Sequence, residues 1–343
     1  MKKKVLLVIC LILSSLVCQA QHRRALLVGI ADYPEDSGWR KIHSDDDVSL
    51  LHDVLSDHFI IETLVNGKAT YNNILSKLKA LEAQTMPNDT VLILLSGHGQ
   101  QMIAKGDEEP DTLDEAFIPY DAKANYSETY TGYNHLRDDD ISESVNKIRK
   151  KAGKNGLVLV LLDACHSGDS YRDSKDSVFY RGGYPVFSPD TMMREVAPHQ
   201  LKDIIRIEGS ENLANVLYIS ACMSNQLNME VHVNKEKWYG ALSLAFSEAY
   251  KTHGLNNLEL LCQGIKHNLS QHNKWYSQSP EFATNIQPFS VDTGTEDETS
   301  EPMSPSEKSF MDDLLSLFMD YGLYIALALA LIAMMIRILC RKK

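Results

Sequence analysis

Thr90 to Gly99 reads TVLILLSGHG, and Leu157 to Gly168 reads LVLVLLDACHSG. Each opens as a short, unbroken apolar run and closes on polar residues, glycine and a reactive side chain. A continuous apolar run of this length, bounded by turn formers, marks a strand buried on both faces. Strands of that kind build mostly parallel sheets with helices on both sides. Ligands of such sheets sit beyond the carboxyl ends of the strands. His98 and Cys165 fall at those ends.

The flanks repeat the pattern. Arg24 to Ile30, Ile60 to Leu64 and Val216 to Ser220 read as further strands. Asp46 to Phe59, Tyr71 to Ala83, Ile141 to Lys151, Gly240 to Tyr250 and Leu258 to Asn268 read as helices, with apolar residues at helical spacing. The expectation is an α/β domain over residues 21–292, a mostly parallel sheet with helices on both faces. Asp169 to Asp203 has scattered Gly, Pro and charge and reads as a long loop of functional character.

The ends read differently. Lys2 to Lys4, an apolar run from Val5 to Val17 and the small-residue pattern through Ala20 describe a signal peptide over residues 1–20; lipidation at Cys18 is the alternative. Residues 293–316 are rich in Ser, Thr, Glu, Asp and Pro and read as a flexible acidic stalk. Tyr321 to Leu339 is apolar all round, close to the ~20 residues that cross a bilayer core. Residues 317–340 therefore read as a C-terminal transmembrane helix, with 341–343 as a basic cytoplasmic tail. This arrangement places the folded domain outside the cytoplasm, at the periplasm or cell surface, with the membrane as a partner through the C-terminal helix. A formal charge of -12 argues against nucleic acid as a partner. Of six cysteines, Cys165, Cys222 and Cys262 belong to the folded part, too few for a disulfide framework, although one Cys222–Cys262 bridge remains open.

The chemistry rests on pairing His98 with Cys165. A free thiol has a pKa of about 8.5, and its thiolate is the nucleophile. An imidazole across a cleft takes that proton and later returns it to the leaving amine. The backbone N–H groups of Gly99 and Cys165 are candidate donors to an oxyanion. His166 has no further ligands at zinc spacing. A lone cysteine after an apolar strand is more often a buried core thiol. The conjunction of two glycine-flanked motifs, His first and Cys second, weighs against that.

Together SGHG (residues 96–99) and DACHSG (163–168) resemble the motifs of the caspase/metacaspase family of cysteine peptidases, and the resemblance extends over roughly Arg24 to Val291. It is closer to metacaspases than to animal caspases. Caspases cleave after Asp and line their pocket with Arg, whereas the corresponding positions here are acidic. The resemblance implies a caspase-like fold, a catalytic dyad of Cys165 and His98, and a pocket for Arg or Lys formed by Asp163, Asp47 and Ser96. The bland reading of Asp45 to Asp47 is the acidic first turn of a helix. The resemblance also implies a regulatory calcium site at Asp114, Asp138 and Asp139. The family's fourth Asp falls on Arg172, so Asp173 is the nearest candidate. The bland reading of the Asp107 to Glu109 set is a solvated acidic loop. No cofactor is required for the chemistry itself. Family members often cut themselves in the loop after the cysteine, which here carries Arg172, Lys175, Arg181 and Arg194.

The expected function is a membrane-anchored, extracytoplasmic cysteine endopeptidase. It acts on protein or peptide substrates with Arg or Lys before the cut bond, is calcium-activated and processes itself. The alternatives are a catalytically silent scaffold or sensor that binds basic peptides at the membrane, and another cysteine hydrolase such as a clostripain or gingipain relative.

Overall fold

The computed structural model describes residues 21–103, 113–165, 179–182, 185–189, 204–207, 209, 211–223, 226–234, 237–272 and 278–291. The expected signal peptide, stalk, transmembrane helix and tail lie outside these residues. Among the described residues no helix is long and apolar enough to cross a membrane.

The centre is a seven-stranded sheet in the order β2-β1-β3-β7-β9-β12-β8. Strands β1 (Arg23–Gly29), β2 (Ile60–Val65), β3 (Thr90–Ser96), β7 (Leu157–Asp163) and β9 (Asn215–Ser220) run parallel. At one edge, β12 (Glu281–Thr284) pairs antiparallel with β9, and β8 (Ile204–Arg206) runs parallel to β12.

Alternate residues of a strand face opposite sides, and here both sides are apolar. Leu92, Leu94, Leu159 and Leu161 join one core; Val91, Ile93, Leu95, Val158 and Val160 join the other. Helices α1 (Ser44–Leu55), α4 (Ala241–His253) and α5 (Leu258–His272) cover the first side through Val48, Leu51, Phe246 and Leu261. Helices α2 (Tyr71–Gln84) and α3 (Asp138–Ala152) cover the second through Ile74, Leu78, Val145 and Ile148. The Thr70 side chain caps α2 by accepting from the Asn73 N–H at 3.3 Å. Helix α3 opens on Asp138, Asp139 and Asp140 and closes on Arg149, Lys150 and Lys151, the charge order its dipole favours.

Two features depart from the expectation. A three-stranded antiparallel sheet of β4 (Gly99–Ile103), β5 (Leu113–Phe117) and β6 (Leu136–Arg137) follows the first motif. A hairpin of β10 (Glu230–Asn234) and β11 (Lys237–Gly240) leads into α4. Neither carries an apolar run; β10 is marked only by the strict alternation from Met229 to Asn234, which the reading above passed over. Helix α3 begins at Asp138 rather than Ile141, which places Asp138 and Asp139 in a helical first turn rather than in a loop.

The cysteines differ as well. Cys165, Cys222 and Cys262 are all free, so there is no Cys222–Cys262 bridge. Cys262 is packed in the core on α5, where burial raises its thiol. Cys222 sits beside Cys165 instead.

Candidate active site

The register of the two central strands sets the site. Strands β3 and β7 pair residue for residue, and the last pair is Ser96 with Asp163. Both motifs therefore leave the sheet side by side at its carboxyl edge. The Gly97 N–H donates to the Asp163 carbonyl at 3.3 Å, tying the two exits together.

His98 is buried and held on several sides. Its Nε2 lies 2.8 Å from the Arg40 carbonyl oxygen. A carbonyl only accepts, so Nε2 carries the proton and Nδ1 is the basic atom of the neutral ring. The ring stacks on Trp39 at 5.3 Å and packs against Tyr33 at 5.2 Å. The Tyr33 hydroxyl accepts from the His98 backbone N–H and donates to the Ile118 carbonyl, each at 3.1 Å. Burial pulls the imidazole down to about 4, partly offset by the Arg40 carbonyl. The ring is thus neutral across the physiological range.

Cys165 follows β7 and is also buried. Its thiol donates to the Gln226 carbonyl at 3.0 Å, and the Cys222 thiol donates to the same oxygen at 3.4 Å. The hydrogen bond with Cys165, followed by burial, pushes the Cys222 thiol well up, so Cys222 stays protonated.

A short strap of the chain, residues 179–182, lies across this site. The Arg181 carbonyl oxygen accepts from two backbone donors, Gly99 N–H at 3.2 Å and Cys165 N–H at 3.0 Å. These are the two donors expected to hold an oxyanion. The next residue, Gly182, is pressed against Cys165. A Cβ built on it would stand 2.4 Å from the Cys165 carbonyl oxygen and 2.9 Å from its Cβ.

The Arg181 side chain enters a closed acidic pocket and has no exposure. Its Nη1 lies 2.6 Å from Asp47 Oδ2, 2.7 Å from the Ser96 hydroxyl and 3.3 Å from Asp163 Oδ1. Its Nη2 and Nε meet Glu230 Oε1 at 3.0 and 3.2 Å. Burial opposes the charge of Arg181, but Asp47, Asp163 and Glu230 outweigh it and hold the guanidinium protonated. Burial pushes the Asp47 carboxyl up, to about 7, against the pull of Arg181. Burial also works to raise Glu230, but Arg181 and the hydrogen bonds from His43 hold it low.

The pocket is fixed from behind. Asp47 Oδ1 accepts from the Gly240 N–H at 2.8 Å and Oδ2 from the Ser96 hydroxyl at 2.6 Å. Asp163 accepts from the Ser243 N–H and hydroxyl at 2.7 and 2.6 Å and from Asn228 Nδ2 at 2.7 Å. Asp47 is therefore both a first-turn residue of α1 and a wall of the pocket. Asp163, Asp47 and Ser96 converge on one group, the Arg181 guanidinium.

The sequence reading missed Glu230 and Asn228. Both belong to the segment running into β10, whose alternation of charged and apolar residues was the one signal available. Of the basic loop residues, Arg181 alone lies among the described residues; Arg172, Lys175 and Arg194 lie outside them.

The acidic set near β5 does not assemble in the same way. Asp114 is paired with Arg137. Burial, then Asp114 and Asp139, push the Asp138 carboxyl up to about 6. Among the described residues no three His, Cys, Asp or Glu side chains are placed to hold a metal ion. The described residues do not by themselves make a calcium site. Asp173 and Asp107 to Glu109 lie outside them.

A parallel sheet with a histidine and a cysteine leaving adjacent strand ends, beside a closed acidic pocket, is the arrangement of a caspase-type peptidase domain. Residues 22–289 match the caspase-domain family model, and the chain belongs to that family. It is 28% identical over 257 residues to Metacaspase-1 of Schizosaccharomyces pombe, covering 65% of this chain and 56% of that protein. It is 28% identical over 112 residues to Metacaspase-6 of Arabidopsis thaliana, covering 32% of this chain and 26% of that protein. The chain thus spans about half, or less, of the length of these relatives. The crystal structure of a Geobacter sulfurreducens protein superposes with a TM-score of 0.52 at 21% identity, over 77% of this chain and 93% of that one. At that identity the likeness concerns the fold.

Gly240 provides a direct probe of the pocket. Its extended backbone suits any residue, but a Cβ would stand 2.2 Å from Asp163 Oδ2 and 2.3 Å from Arg181 Nη1, so an alanine forces the two apart. Gly240→Ala should therefore loosen the strap over Cys165, and iodoacetamide should alkylate Cys165 of the full-length chain about tenfold faster, read by mass spectrometry of the Cys165 peptide. Unchanged alkylation would contradict the closed pocket.

Proposed function

We propose that this chain is a cysteine endopeptidase that cuts after arginine or lysine, and that the first bond it cuts is its own, between Arg181 and Gly182. One observation carries this reading. Arg181 occupies the acidic pocket while its carbonyl oxygen accepts from Gly99 N–H and Cys165 N–H, the pose of a residue about to be attacked.

The steps follow from the geometry. The Cys165 thiol passes its proton to Nδ1 of neutral His98, and the thiolate attacks the Arg181 carbonyl carbon. The oxygen becomes an oxyanion under the two N–H donors already aimed at it. His98 then protonates the Gly182 nitrogen, the peptide bond breaks, and Arg181 is left as a thioester on Cys165. A water molecule, deprotonated by His98, hydrolyses the thioester and restores the thiol. Once the strap is cut, the same acidic pocket is open to a substrate arginine, by a forked pair of hydrogen bonds, or to a lysine.

In the same reading the signal peptide directs export and is cleaved after Ala20, and the acidic stalk and C-terminal helix hold the domain on the outer face of a membrane. Epitope-tagged full chain should stay in the membrane pellet through a carbonate wash, with its domain digested by protease added to intact cells or spheroplasts. A soluble chain, or a protected domain, would overturn that placement.

Catalysis is tested with fluorogenic peptides ending in Arg, Lys or Asp. The full chain should cut after Arg and Lys, and Cys165→Ala should abolish both activities. Cleavage after Asp, or activity that survives the substitution, would contradict the reading. The pH profile adds a second check. Burial lowers His98 to about 4, so the base is neutral above that pH and is lost as pH falls through it. The acid limb of kcat, which reports the enzyme–substrate complex, should lie well below the ~6.5 of a free imidazole. An acid limb at 6.5 or higher would show that His98 is not buried in the complex.

A further inference from the structure

The strap does more than deliver Arg181. Residues 179–181 run antiparallel to 228–230. The Arg181 N–H donates to the Asn228 carbonyl and the Glu230 N–H to the Phe179 carbonyl, both at 3.0 Å, and Tyr180 is bridged to Met229. This is a strand added to a free edge, where main-chain bonds give affinity and alternate side chains give specificity. Alternation puts Phe179 on the same side as Arg181.

Phe179 meets an aromatic box there. Its ring stands edge-on to His43 at 4.7 Å and 88°, and to Trp238 at 5.0 Å and 75°. His43 and Trp238 lie nearly parallel, 5.7 Å apart, and His232 stacks on Trp238 at 4.2 Å. Edge-to-face contacts at these separations are the favoured geometry of aromatic pairs. The box is anchored to the acidic pocket. His43 binds Glu230 through its backbone N–H at 2.8 Å and its Nδ1 at 2.6 Å, while the same carboxylate holds Arg181. One side chain is therefore a wall of both pockets.

We infer that His43 and Trp238 form a second specificity subsite, which selects substrates carrying an aromatic side chain two residues before the basic residue at the cut. The inference rests on the peptidase reading and deepens it from "after Arg or Lys" to "aromatic, any residue, then Arg or Lys". The strap itself, Phe179-Tyr180-Arg181, has that sequence.

The test compares two fluorogenic tripeptides, Phe-Ala-Arg and Ala-Ala-Arg, on the full chain and on its Trp238→Ala and Trp238→Phe variants. Both peptides compete with the same strap, so the ratio of their kcat/KM values is independent of it. The unsubstituted chain should prefer Phe-Ala-Arg by about tenfold or more. Trp238→Ala should bring the ratio to within about twofold of unity, and Trp238→Phe should restore most of it. A general loss of folding would lower both rates without changing their ratio. Arg-dependent cleavage with equal rates on the two peptides in the unsubstituted chain would overturn the subsite and leave the peptidase standing. Cleavage of neither peptide would overturn the peptidase reading and the subsite with it.

Discussion

The site depends on one interaction, the guanidinium of Arg181 closed inside the carboxylates of Asp47, Asp163 and Glu230. Each carboxylate comes from a different element: helix α1, strand β7 and strand β10. The pocket therefore exists only when all three are docked. Buried charges are costly unless paired, so a pocket with this excess of negative charge needs a cation. The chain supplies its own, and a basic side chain of a substrate has the same chemistry. The proposed preference for Arg or Lys rests on that shared chemistry.

The sheet aligns the rest. Parallel pairing of β3 with β7 brings Ser96 beside Asp163, and from there the two chains diverge into their loops. One loop gives His98 and the Gly99 N–H, the other the Cys165 thiol and N–H. The Arg40 carbonyl fixes the imidazole tautomer, and the rings of Trp39 and Tyr33 fix its plane. Arg40 and Trp39 precede α1, whose first turn carries Asp47. A single segment, Trp39 to Asp47, thus orients the base, lines the aromatic box through His43 and closes the acidic pocket.

Much of this was legible in the sequence, for a physical reason. Strands β1, β3, β7 and β9 are buried, and a buried strand writes itself as an apolar run. The helices packed on them show apolar spacing. That His98 and Cys165 leave neighbouring strand ends followed from where those runs stop. Sheet β4–β6 and hairpin β10–β11 carry mixed residues and no apolar run, and only the short alternation of β10 marks either of them. Glu230 was hidden for that reason. The strap was hidden because its order comes from pairing with residues far along the chain, as in Arg181 with Asn228 and Phe179 with Glu230, and not from its own sequence. The calcium reading came from a resemblance; Asp114 is paired with Arg137, and Asp173 lies outside the described residues.

The central claim is that the Arg181 carbonyl is held for attack by Cys165. Purified full chain, incubated and then subjected to N-terminal sequencing and intact mass measurement, tests it most directly. The account predicts a fragment beginning at Gly182, absent from Cys165→Ala. An intact chain, or a new terminus elsewhere while Arg181–Gly182 stays whole, would contradict it.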